Sequence, residues 1–380
     1  HAAAQQGNGM AGIQEATQMV TSYFDPATKL IYAIGAVIGL IAVWLQKLGN
    51  PANMGICVAC FERDVAGGLG LHRAAIVQYL RPEIMGLVLG SLAAAIATRE
   101  FKPRGGSAPI VRFVLGMIAA MGALVFLGCP WRAILRLAGG DGNAILGLAG
   151  LATGIWFGTL FFKKGYSLGR SNSQSVVSGA LFPVIAVCLL LLYLIFPQIP
   201  DQPQSGPLFY SVKGPGSQHA PFIASLGLAF IIGIFAQRSR FCTMGAFRDL
   251  FLFRYTHLFL GLAAMFAAAF IANALTGGLK FGFEGQPVAH SDFLWNYLGM
   301  VTAGLAFALA GGCPGRQLFM AGEGDSDAGI FALGMLVGAA MAHNLGTASS
   351  GTGIGVYGMQ ATIIGFAVCL IIGFVHSKKA

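Results

Sequence analysis

The sequence predicts an all-α polytopic membrane protein made of two inverted repeats, and three observations carry that reading. Of its 380 residues, 56% are hydrophobic and only 10% are charged, where a soluble protein carries about 25% charged residues; mean hydropathy is +0.72. Apolar stretches near the roughly 20 residues needed to cross a bilayer recur along the whole chain. The same short text is also written twice. Cys57 with Arg63-Asp64 recurs as Cys242 with Arg248-Asp249, and Gly128-Cys129-Pro130-Trp131-Arg132 recurs as Gly312-Cys313-Pro314-Gly315-Arg316.

In chain order, residues 1–27 form an N-terminal tail in which Ile13, Met19, Val20 and Tyr23 alternate with polar residues, the pattern of an interfacial helix. Nothing in that tail has the pattern of a cleavable signal peptide. Candidate spans follow at 28–47, 83–98, 109–128, 143–162 and 176–196, which make a first repeat over 28–196. A proline-rich linker, 197–220, carries Pro197, Pro200, Pro203, Pro207 and Pro215. The second repeat, 221–380, holds spans at 221–237, 257–275, 293–312, 329–345 and 358–375; 83–98 and 329–345 are the short ones. An odd number of spans per repeat makes the second copy enter from the opposite face, the construction of many transporters with a site near the midplane. The 55 glycines suit close helix packing and broken helices lining a cavity.

The net charge of +9 has two readings that do not need nucleic acid. Basic loops orient membrane proteins, and Arg99, Lys102, Arg104, Lys163, Lys164 and Arg170 fall on the side that also receives both termini, which predicts cytoplasmic termini. Basic groups also line anion paths. Seven cysteines without secreted-scaffold spacing read as reduced or functional thiols.

Proline is tolerated in the first turn of a helix, where its missing N–H costs nothing. Helices beginning at Pro130 and Pro314 would therefore place Cys129 and Cys313 at their N-caps, with free N–H groups and the positive dipole end in front of each thiol, a setting that draws anions. Arg132 and Arg316 add a cation to that first turn, which is locally unfavourable and calls for a negative partner. One copy alone reads as a helix cap with a snorkelling arginine. Two matched copies point to function, because an intramembrane charge costs roughly 2.5–3.5 kcal/mol. The segments 54–61 and 241–247 are too short to cross and suit loops that dip in and return. There Arg63-Asp64 and Arg248-Asp249 read as structural ion pairs, with Cys57 and Cys242 as the functional candidates. Cys57-Val58-Ala59-Cys60 has C-x-x-C spacing, but the repeat places Gly245 opposite Cys60 and supplies no further zinc ligands. Cys188 and Cys369 lie in aliphatic runs and read as packing residues. His343-Asn344 reads as a polar helix–helix contact. No catalytic triad, phosphate-binding loop, dinucleotide fingerprint or carboxylate pair is evident, so neither an enzyme nor a bound cofactor is expected.

On these residues the chain resembles the YedE/YeeE family of integral membrane proteins. The resemblance runs from about Ile31 to Val375. It is most specific at Gly49-Asn50-Pro51-Ala52-Asn53-Met54-Gly55-Ile56-Cys57, Gln237-Arg238-Ser239-Arg240-Phe241-Cys242, Gly245-Ala246-Phe247-Arg248-Asp249 and the two Gly-Cys-Pro-x-Arg runs. The chain is most similar to the YedE branch, associated with selenium metabolism; the YeeE branch takes up thiosulfate. The resemblance implies an hourglass-like helical protein of the bacterial cytoplasmic membrane, with loops plunging in from both faces and central cysteines that pass an anion along by transient S–H contacts. Cys129 and Cys313 match the Gly-Cys motifs and Cys242 the Phe-Cys motif, and the family's N-terminal cysteine falls on Cys57 or Cys60.

The expectation is therefore a membrane transporter for a small selenium- or sulfur-containing anion. Its pathway would be drawn from Cys57, Cys60, Cys129, Cys242, Cys313, Arg132 and Arg316, supported by Arg63, Asp64, Arg248 and Asp249. One alternative is chalcogen transfer, with a cysteine persulfide or selenosulfide handed to a TusA-like sulfur carrier. Another is a metal-ion transporter using Cys57, Cys60, Cys129 and Cys313.

Overall fold

The computed structural model describes residues 30–377, and the tail and interfacial helix expected over 1–27 lie outside them. The described chain is helical apart from two short antiparallel strand pairs: β1 (Arg104–Gly105) with β2 (Asn172–Ser173), and β3 (Gln204–Ser205) with β4 (Leu208–Phe209). The helices are α1 (Leu30–Lys47), α2 (Val58–Gly68), α3 (Pro82–Ala97), α4 (Pro109–Phe126), α5 (Pro130–Ala138), α6 (Asn143–Lys163) and α7 (Val176–Ile195). They continue as α8 (Phe222–Ser239), α9 (Thr243–Phe253), α10 (His257–Leu275), α11 (Phe293–Ala310), α12 (Pro314–Gly322), α13 (Ser326–Asn344) and α14 (Gly358–Val375).

Nine apolar runs among the described residues are long enough to cross a bilayer, and the chain is a polytopic membrane protein. The 16-residue α3 falls short of that length, as expected. The stretch 329–345 does not: its helix starts earlier, at Ser326, because the Asp325 carboxylate caps it by accepting from Ala328 N at 3.0 Å, and it reaches 19 residues.

Three of the nine runs, Pro109–Ala138, Phe222–Phe253 and Phe293–Gly322, are continuous in composition but broken in backbone. Each break has a residue in the left-handed region: Leu127 (φ 62°), Arg240 (φ 57°) and Gly311 (φ 87°). The chain then re-forms a helix with cysteine at its N-cap. The fourth short helix, α2, is reached differently. The loop after α1 doubles back until Gly55 lies against Ala42, so closely that a Cβ would sit 1.7 Å from the Ala42 carbonyl oxygen. Asn50 pins this loop by donating to Gly55 O (2.9 Å) and Glu83 Oε1 (2.8 Å) while accepting from Ala220 N (2.8 Å).

The long helices pair across the two halves through G-x-x-x-G spacings, which let backbones touch. Gly35 and Gly39 of α1 meet Gly261 O and Met265 O of α10, and Gly86 and Gly90 of α3 meet Leu226 O and Phe230 O of α8. Gly150 and Gly154 of α6 meet Tyr297 O and Val301 O of α11, and Gly334 and Gly338 of α13 meet Phe113 O and Met117 O of α4. Four residues forward on one helix is four forward on its partner, so all four pairs are parallel. The short helices follow the same exchange: α12 lies on α3 as α5 lies on α10, and α13 on α2 as α6 on α9. The last helices depart from it, α7 resting on α3 and α12 whereas α14 rests on α11, α4 and α6.

Large apolar side chains face outward, including Val177, Leu181, Leu191 and Leu194 of α7 and Ile363, Ile364, Ile371 and Phe374 of α14. Arg63, Arg81, Arg132 and Arg136 are instead among the most deeply buried side chains. That inversion suits a lipid solvent. Cys188 of α7 belongs to the outer surface rather than to the packing expected of it, because α7 presents most of its length outward; Cys369 is buried as expected. The proline-rich 197–220 segment is packed against the helices. It folds over α2 and α3, where Arg81 donates to Pro215 O (2.8 Å) and Gln218 O (2.9 Å) and His219 stacks on Tyr79 with centroids 4.3 Å apart.

A Cβ at Gly154 would stand 2.1 Å from Val301 O, whereas one at Gly227 meets nothing within 4 Å. Gly154→Val is expected to lower thermal stability in detergent by about 1–3 kcal/mol or more, and Gly227→Ala to leave it unchanged or raise it.

Candidate functional site

The four cysteines of the duplicated motifs all become N-caps of short helices: Cys57 of α2, Cys129 of α5, Cys242 of α9 and Cys313 of α12. Proline at N1 fixes the first turn at α5 and α12. At α2 and α9 the cysteine side chain itself caps the turn, the sulfur accepting from Cys60 N at 3.4 Å and from Gly245 N at 3.2 Å.

These N-termini converge in pairs. Cys129 N donates to Cys57 Sγ at 3.5 Å, bringing α2 and α5 end to end. In the second half Cys242 Sγ lies 3.8 Å from Cys313 Sγ. All four thiols are free and buried. Each pair therefore faces two helix N-termini and their positive dipole ends, a setting suited to an anion with a soft atom.

The cations of the motifs are already engaged. Arg132 is fully buried and donates to the carbonyls of Leu127, Asn53 (3.3 Å) and Val288 (3.0 Å), and its Nη1 lies 3.5 Å from Cys60 Sγ. The negative partner that its position calls for is thus supplied by carbonyl oxygens of the broken α4 and adjoining loops. Arg316 donates to Glu323 Oε1 at 3.1 Å and keeps 12% of its side-chain surface exposed. Glu323 belongs to a chain of charges reaching the surface, through Arg240 (3.0 Å) to Glu100 (3.1 Å) and on to Arg238 (3.1 Å). The Gln237 amide, then Arg240 and Arg238, hold the Glu100 carboxyl below the usual carboxylate range against the opposing effect of desolvation. A lowered folded-state value means that this contribution to stability is present at neutral pH and is lost as acid titrates the carboxylate.

The ion pairs expected beside Cys57 and Cys242 are present and differ in depth. Arg63 and Arg81 both bind the buried Asp64, at 2.7 and 2.8 Å. Arg248 pairs with Asp249 at 2.8 Å, but 37% of the arginine side chain is exposed. The His343 ring lies against that of His72, tilted by 30° with centroids 4.5 Å apart, and Asn344 donates to Leu71 O at 2.9 Å, so both serve contacts between α13 and the loop after α2. Among the described residues no three His, Cys, Asp or Glu side chains are arranged to hold a metal, and the metal-ion alternative has no ligand set there.

Several residues at the site were not singled out from sequence. Arg136, His290 and Arg112 bond the carbonyls of Phe126 (2.7 Å), Val125 (2.7 Å) and Ala310 (2.9 Å) at the helix breaks. Trp131 packs between Phe241 and Phe319, at 5.9 Å from each. The difference between Trp131 and Gly315, inside otherwise matching motifs, was the available signal for the tryptophan.

Broken membrane helices with paired N-cap thiols define a class: a polytopic membrane protein with a buried, anion-favouring centre. Residues 238–372, about a third of the chain, match the family model described as sulphur transport. The matched segment contains Cys242, Arg248, Asp249, Cys313 and Arg316. Over 106 residues the chain is 32% identical to the thiosulfate transporter TsuA of Spirochaeta thermophila, a stretch that covers 28% of this chain and 32% of that protein. The chain thus spans about a third of that relative's length. Residues 1–45 match a domain of unknown function (DUF4134).

Removing Asp64 would strand two buried arginines. Asp64→Ala is expected to cost about 3–5 kcal/mol, and Arg248→Ala, at a partly exposed pair, about 1 kcal/mol or less; thermal unfolding in detergent measures both.

Proposed function

We propose that the protein carries a small sulfur- or selenium-containing anion, of the thiosulfate or selenite kind, across a bacterial cytoplasmic membrane. The observation that carries the reading is the convergence of four N-cap cysteines into two buried pairs, one of them inside the segment matching the sulphur-transport family. The substrate of the related thiosulfate transporter supports the choice of anion. The architecture behind it is two halves inserted in opposite senses. Parallel pairing of α1 with α10 and of α4 with α13 matches an odd span of one half to an even span of the other, and alternating spans then require inversion. The short helices would enter from opposite faces, and the lysine- and arginine-bearing loop after α3 would face the cytoplasm.

Helix N-termini offset the charge of the anion's oxygens as it loses water, while the thiols contact its sulfur or selenium. Thiols are weak donors, so each contact holds the solute without trapping it, and movement proceeds from one pair to the next. Cys57, Cys129, Cys242 and Cys313 make these contacts. Cys60 and Arg132 shape the first pair, and Arg316 ties the second to the surface charges.

Proteoliposomes loaded for uptake of thiosulfate, selenite, selenate and sulfite test this. Wild-type protein is expected to move at least one of these anions, and Cys129→Ala and Cys313→Ala each to lower its flux on the order of tenfold, the effect of a contact worth about 1.4 kcal/mol. Undiminished flux in both variants would sink the thiol path.

A further inference from the structure

The two cysteine pairs are not equivalent, and the difference lies in two hydrogen-bond donors. Trp131 is 1% exposed, and its indole Nε1 has no hydrogen-bond partner. The ring leaves its own half and lies against the first turn of α12: a Cβ placed on Gly315 would be 3.1 Å from Cζ2 and 3.4 Å from Cε2. Nε1 is bonded to Cε2, so the unpaired N–H adjoins the ring edge that meets Gly315, two residues after Cys313. Thr243 follows Cys242 directly, is fully buried, and its hydroxyl also has no partner. Buried indole N–H and hydroxyl groups nearly always find a partner, and leaving one unmet costs about 1–3 kcal/mol. Here two unmet donors flank one thiol pair.

The repeat shows that this is one-sided. The residue matching Thr243 is Val58, and the residue matching Trp131 is Gly315, so the mirrored positions at the Cys57/Cys129 pair carry no side-chain donor. A second tryptophan could not be accommodated, because the first already fills the space in front of Gly315. From this we propose that the Cys242/Cys313 pair is an oxyanion-holding subsite, with Trp131 Nε1–H and Thr243 Oγ1–H donating to oxygens of the anion. The Cys57/Cys129 pair is then a point of passage without such a hold. An indole N–H can only donate, so the occupant must offer acceptors; oxygens on one side and a soft atom on the other fit an oxyanion of sulfur or selenium. The proposal rests on the transport reading for its occupant but is tested separately from it.

Two measurements do so. In proteoliposomes, Trp131→Phe keeps an aromatic ring between Phe241 and Phe319 while removing the N–H along with part of the indole, and Thr243→Val keeps the shape and removes the hydroxyl alone. Each is expected to raise the half-saturating thiosulfate or selenite concentration about fivefold to tenfold, the effect of losing one hydrogen bond, whereas Val58→Ala, at the position matching Thr243 in the other pair, is expected to leave half-saturation as it was. In detergent, protein retaining Trp131 alone, with Trp44, Trp156 and Trp295 changed to Phe, is expected to change its fluorescence with thiosulfate but not with chloride, and to lose that response with Thr243→Val. A wild type that moves no anion while Trp131 still responds would overturn the transport reading and leave the subsite standing. Unchanged half-saturation in both variants, or a Trp131 indifferent to all the anions, would overturn the subsite.

Discussion

The structure depends on finding partners for carbonyl oxygens where apolar helices stop inside the protein. A helix end leaves up to four carbonyls without intrahelical donors, and a bilayer supplies no water to take them. At the end of α4, Val125, Phe126 and Leu127 are met by His290, Arg136 and Arg132; at the end of α11, Leu309 and Ala310 are met by Tyr166, Arg112 and Gln317. Without these donors the chain could not break its helices, and without breaks no cysteine would stand at a helix N-terminus in the interior. Much of the buried positive charge is therefore committed to the backbone rather than offered to a solute.

That commitment changes the meaning of the duplicated arginines. Arg132 and Arg316 occupy matching places in matching motifs, yet one is fully buried among carbonyls and the other is tied to a glutamate that leads to the surface. On the proposed reading, selectivity for an oxyanion rests on helix N-termini and neutral donors. Such groups favour an anion without holding it as a fixed guanidinium would, which suits a solute that has to leave again.

The sequence was informative where structure follows local pattern. Span positions, the proline-started helices and the N-caps at Cys129 and Cys313 could be read, because proline at N1 and a run of apolar residues act within a few positions; the dipping loops expected at 54–61 and 241–247 instead open the 11-residue helices α2 and α9, whose caps at Cys57 and Cys242 have no proline to announce them. The length of α13 was underestimated because its cap, Asp325, looks like a loop residue. The outward placement of Cys188 was missed because an aliphatic run has the same composition whether it faces protein or lipid. The carbonyl partners were invisible for another reason. Arg112, Arg136 and His290 lie far along the chain or outside the matched text from the breaks they complete, and the two halves solve the same problem with residues that do not correspond. The pairing of the thiols was equally hidden, since no spacing tells which N-termini meet.

The backbone contacts between the halves also limit how the molecule can move. Helices seated glycine to carbonyl interlock like racks, with one tooth for every turn. Sliding one past another means climbing a full tooth, and tilting it separates a long line of close contacts at once. Four such racks join the first half to the second, and rocking either half as a unit would have to open all of them together. The least costly place for a solute to find room is then among side chains at the centre rather than between the helices that carry them.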